Sequence, residues 1–138
     1  MKHLPGYIAL CTLLLGAVPA DAHKAKDSGP VTAIHGGQAL AAGPYHLELV
    51  ATDRELTLYV RDHSDKAVST DGAKAKATLQ HGTEKARTEI ELEPSGEHTL
   101  KGTGTFTINP DTGIIVFLRL PGQDAHAARF TPRQTKGT

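Results

Sequence analysis

Tyr45-His46-Leu47-Glu48-Leu49-Val50 and Glu55-Leu56-Thr57-Leu58-Tyr59-Val60 are the two stretches that decide the fold of this chain. Apolar and polar residues alternate in both, which is the period of a half-buried β-strand and not of a helix. Tyr45, Leu47 and Leu49 fall on one face of the first, and Leu56, Leu58 and Val60 on one face of the second. A turn around Thr52-Asp53 makes them a hairpin. For the two leucine faces to share one core the loop must hold an even number of residues. The register expected on that basis sets Leu47 opposite Leu58 and Leu49 opposite Leu56. His46 then faces Tyr59, and Glu48 faces Thr57, on the outer side. In that register His63 lies four residues beyond the partner of His46, about 13 Å away at ~3.3 Å per residue.

The same period continues downstream. Lys74 to Leu79 alternates Lys74, Lys76 and Thr78 with Ala75, Ala77 and Leu79, and Lys85 to Leu92 places Ala86, Thr88, Ile90 and Leu92 on one side. Leu100 to Thr107 carries Gly102 and Gly104 where core side chains are due, a sign of a bulge or a close backbone approach. Ile114 to Leu118 is the most apolar run and is expected to be the central strand; Ala125 to Thr131 is the last. Pro94-Ser95-Gly96 and Asn109-Pro110-Asp111-Thr112-Gly113 supply turn chemistry between them. No useful helical period occurs after the first apolar run. The pattern predicts an all-β domain, an antiparallel immunoglobulin-like β-sandwich of about seven strands. Its core should include Leu47, Leu49, Leu56, Leu58, Val60, Ile90, Val116, Leu118 and Phe130.

The ends read differently. Met1-Lys2-His3 is a short positive segment, Tyr7 to Val18 an apolar run too short to span a bilayer, and Pro19-Ala20-Asp21-Ala22 a small-residue cleavage pattern. Residues 1–22 are therefore expected to be a cleaved signal peptide, and the mature protein to be exported and periplasmic. Residues 23–30 should form a flexible leader, 31–131 the β-domain and 132–138 a disordered tail. Cleavage removes Cys11 and Met1, the chain's single cysteine and single methionine. That leaves neither a disulfide nor a thiolate to work with.

Lys and Arg together number 15, as do Asp and Glu. The balance argues against a nucleic-acid-binding stripe or a polybasic membrane patch. Nucleophile elbows, zinc-protease helices and phosphate-binding loops are missing, so the expectation is a protein that is not an enzyme. Histidine is the abundant functional side chain, at eight positions. With no sulfur donor left after cleavage, a metal site would be built from imidazole and carboxylate, which suits Cu(II), Zn(II) or Ni(II), with Cu(II) bound more tightly than Zn(II). Such a site weakens as its imidazoles protonate. The candidate ligands are His35 and His63, with Asp62 or His46 in support. His23, which cleavage would make the amino terminus, is a separate site.

His35-Gly36-Gly37, Tyr45 to Val50, Leu58-Tyr59-Val60-Arg61-Asp62-His63 and Ala67 to Ala73 together resemble the small β-sandwich domain of periplasmic adaptor proteins in heavy-metal RND efflux systems, and free-standing periplasmic proteins of similar pattern. The resemblance runs from about Ile34 to Phe130. It implies a non-enzymatic accessory that binds or delivers copper- or zinc-type cations, with an efflux-system component as partner. No stable membrane insertion is expected after signal cleavage, and the mature protein is expected to be a monomer or weak oligomer. The alternative is a protein–protein interaction module that binds no metal and docks through an exposed strand edge.

Overall fold

Residues 31–132 are described by the computed structural model. The proposed signal peptide, the leader with His23, and the tail from residue 133 lie outside them. Eight strands run in chain order: β1 (Gln38–Ala42), β2 (Tyr45–Thr52), β3 (Glu55–Asp62), β4 (Lys74–His81), β5 (Arg87–Pro94), β6 (Thr99–Thr103), β7 (Thr112–Arg119) and β8 (His126–Phe130). There is no helix among the described residues. Every pairing is antiparallel, and the spatial order is β1-β2-β3-β6-β5-β4-β7-β8. The count among the described residues is thus eight where about seven are expected. The short β1 is the addition, pairing with β2 from Gln38↔Leu49 to Ala42↔Tyr45.

The sheet curls almost into a closed barrel. β1 and β8 lie against each other at the two ends of the order, and the Thr131 N–H donates to Gln38 Oε1 at 2.8 Å. The corner is made by β5. It pairs with β4 along Arg87–Leu92 but meets β6 only through Glu93↔Lys101 and Pro94↔Leu100. Gly102 lets the backbones cross there: a Cβ at that position would collide with the Glu91 carbonyl oxygen and the Ile90 side chain. The close approach anticipated from the missing side chain is therefore real.

Side chains on the inner faces form one core. Each of the nine residues expected in it is buried, and Leu47, Leu56, Leu58, Val60, Val116, Leu118 and Phe130 are wholly so. β7 is not the central strand, however. It is second from the end, between β4 and β8, and its Phe117 points outward with 47% of its surface exposed. An unbroken apolar run indicates burial on both faces, but no described residue covers the outer face of β7 enough to bury Phe117.

The β2–β3 register is the difference that matters most. Leu47 pairs with Val60, Leu49 with Leu58, and Ala51 with Leu56, two residues away from the expected alignment. The two central turn residues are Asp53 and Arg54, with Arg54 at φ 77°. Shifting a two-residue turn by one position shifts the register by two, so the leucines keep their face while their partners change. The turn is held in its place by distant backbone. Asp53 Oδ1 accepts from the Ile108 N–H at 3.0 Å, and the Arg54 carbonyl accepts from the Gly104 N–H at 3.1 Å.

Candidate functional site

The outer face of β2 and β3 carries His46, Glu48, Tyr59 and Arg61, with His46 opposite Arg61 and Glu48 opposite Tyr59. Alternation on a hairpin would leave these residues in water. Instead His46, Glu48 and Arg61 are buried, and Glu48 has no exposed surface. Residues 31–37 form a strap across this face, and its polar backbone needs partners that a covered sheet surface can offer only through side chains.

Glu48 is that partner. Its carboxylate accepts from the N–H groups of Ile34 at 2.8 Å, His35 at 2.7 Å and Gly37 at 3.1 Å, and His35 Nδ1 lies 3.1 Å from Oε1. Burial works against the charge. The backbone N–H bonds and the His35 side chain outweigh it and hold the carboxyl below its ordinary pKa. The His35 ring stacks on Tyr59, with centroids 3.6 Å apart and planes within 1°. Gly37 fits because it has no side chain, since a Cβ there would run into the Leu49 carbonyl.

Beside Glu48, Arg61 ties the strap to a second cluster. Its Nη2 donates to the Thr32 carbonyl at 2.8 Å and lies 3.9 Å from Glu48 Oε1. Its Nη1 lies 3.4 Å from Asp65 Oδ1, while its Nε is buried with no hydrogen-bond partner among the described residues. Asp65 Oδ1 also bonds His46 Nδ1 at 3.0 Å, and His46 Nε2 stands 3.3 Å from His63 Nδ1 with the two rings at 89°. The Asp65 carboxyl is held below its ordinary pKa, first by the hydrogen bond with His46, against the effect of its burial, with the charge of Arg61 adding to the lowering.

The expected separation of His46 and His63 is therefore overturned. In the observed register His63 is two residues beyond Arg61, on the same face as His46, and a diagonal neighbour across the hairpin. The turn that follows brings the two rings together. The Asp62 N–H donates to the Lys66 carbonyl, the Asp65 N–H to the Asp62 carbonyl, and Asp65 sits at φ 61°.

The other candidates are placed elsewhere. His35 is engaged by Glu48 and Tyr59 and is not brought together with His63. Asp62 Oδ1 accepts from the Ser64 and Lys66 N–H groups at 2.8 and 3.0 Å, so its carboxylate builds the turn. His81 bonds Thr112 Oγ1, and His126 packs edge-on against Tyr45. Among the described residues no group of three or more His, Cys, Asp or Glu is placed to hold a metal ion together.

Glu48, Arg61 and Asp65 were absent from the candidates. The usable signal was three charged residues clustered on the outer side of one apolar hairpin, downstream of His35-Gly36-Gly37. Read strand by strand, each looks like a solvated charge. No family model, no curated protein and no solved structure matches this chain.

Proposed function

We propose that this chain is an exported, periplasmic accessory protein that binds and hands over a copper- or zinc-type divalent cation, and is not an enzyme. The carrying observation is the His46–His63 pair, with Nε2 and Nδ1 3.3 Å apart. Two imidazole nitrogens bound at about 2.0–2.1 Å to one tetrahedral ion stand about 3.3 Å apart, so little movement is needed to ligate. Asp65 on the far nitrogen of His46 supports the same reading. A carboxylate on Nδ1–H fixes the tautomer that leaves Nε2 as the ligand. Two donors are too few to bury an ion in protein. The remaining coordination positions would be filled by water or by a partner's side chains, which suits transfer better than storage.

An efflux-system component is the partner class in this proposal. Docking through an exposed strand edge is less well supported, because β1 and β8, the two terminal strands, lie against each other. We also read the order as two facing halves, β1-β2-β3-β6 and β5-β4-β7-β8, comparable to the leaves of an immunoglobulin-like sandwich.

Titration calorimetry of the protein from His23 onward with Cu(II) and Zn(II) tests the cation reading. Micromolar or tighter binding is expected, with Cu(II) ahead of Zn(II). His63→Ala, at an exposed turn position, should lower affinity at least tenfold while leaving the unfolding midpoint near that of the parent. If His63→Ala binds as the parent does, the imidazole pair is not the site. If the loss appears only when the amine of His23 is blocked, the leader is the binder.

A further inference from the structure

The strap is anchored in an unusual way for a loop. Three of its N–H groups and one of its side chains converge on a single carboxylate, Glu48, while its Thr32 carbonyl holds Arg61. These contacts converge on one carboxylate, so a displacement of residues 34–37 would break them as a group. Arg61 is 5% exposed, and with the strap docked its guanidinium is fixed between the Thr32 carbonyl and Asp65. Releasing the strap would remove the 2.8 Å bond and admit water to the guanidinium, loosening its hold on Asp65. Asp65 is 58% exposed; the turn sets its backbone, and its carboxylate meets Arg61 and His46. Arg61, Asp65 and His46 thus form one continuous polar path from the strap to the imidazole pair.

We propose that this path couples the two: strap docking presets His46 as a cation ligand, and a divalent cation at His46 and His63 secures the strap in return. Arg61 is the positioning residue, acting through Asp65, and touches no cation itself. The inference rests on the cation reading above and adds its regulation. Whatever displaces residues 31–37 would lower cation affinity and release the ion, which suits a protein that must deliver its cargo. The two effects are reciprocal, because a coupling free energy changes both equilibria by one factor.

Two measurements with Zn(II) as the probe decide it. Gly37→Ala places a Cβ against the Leu49 carbonyl and displaces the strap without altering Glu48, Arg61, Asp65 or either histidine. Its Zn(II) affinity should fall about tenfold, the scale of losing an outer-shell partner. Nitrogen-15 shifts of the His46 ring should report the Nδ1–H tautomer in the parent and a mixture in the variant. Arg61→Gln should reproduce both changes. In the parent protein, hydrogen exchange at the Ile34, His35 and Gly37 amides should slow by the same factor, about tenfold, on saturation with Zn(II).

Unchanged strap exchange on Zn(II) saturation would overturn the coupling, whatever the variants do. Parent-like Zn(II) affinity and tautomer in Gly37→Ala, with its strap amides exchanging faster, would overturn it as well. A parent protein that binds no Zn(II) sinks the cation reading and the coupling together. Zn(II) binding that His63→Ala abolishes but Gly37→Ala spares leaves the cation reading standing and removes only the coupling.

Discussion

Glu48→Ala is expected to cost about 3–5 kcal/mol of folding stability, the range for deleting one member of a buried charged cluster. The alanine leaves the N–H groups of Ile34, His35 and Gly37 without their acceptor and Arg61 without a nearby carboxylate on that side. Chemical denaturation at neutral pH measures the loss; a cost below about 1 kcal/mol would mean that the strap contributes little and that water serves its donors equally well. Glu48→Gln should fall between, because an amide oxygen can accept one or two of the bonds but carries no charge. The same carboxylate gives a pH signature. Its folded pKa lies below the unfolded one, so the unfolded chain binds more protons in the window between them. Its stabilisation is complete above the unfolded pKa and is lost as pH falls through the folded value. The parent protein should therefore lose stability on acidification over that window, and Glu48→Gln should lose less.

Phe130→Ala is expected to be comparably severe, about 3–5 kcal/mol, for a different reason. Phe130 is fully buried on β8 and pairs with Ile114, close to where β8 meets β1. Truncating the ring opens a cavity in the core and weakens the strand that nearly closes the barrel. The outward-facing Phe117 on the neighbouring strand is the control, and Phe117→Ala should cost less than about 1 kcal/mol. Similar losses for the two substitutions would show that the assignment of inner and outer faces on β7 and β8 is wrong.

Parity alone requires an even loop between Leu49 and Leu56, and both the expected and the observed alignments satisfy it. Choosing between them needs the position of the turn, and the contacts that hold the turn come from Gly104 and Ile108, about fifty residues away. A one-residue displacement of the turn moves His63 from four residues past the partner of His46 to two. The displacement changes a separation of about 13 Å into a diagonal cross-strand neighbour. Asp62 and Asp65 illustrate the same limit. Both are carboxylates beside His63, and only the path of the Asp62–Lys66 turn decides that Asp62 binds backbone while Asp65 faces His46.

Period-two alternation by itself determined the all-β antiparallel class and nine of the residues that form the core, because the side chains of a strand have only two faces to choose between. Gly102 was legible too, since a missing side chain at a core position signals backbone passing close by. What only the tertiary structure decided is which outer face is dry. Glu48 and Arg61 occupy positions that local patterning assigns to solvent, and they are buried because residues 31–37 fold back over β2 and β3. A strand's own sequence records its alternation but not what later covers it. Burial of a charge is settled by the strap's unpaired N–H groups, which must find an acceptor and find it in one carboxylate.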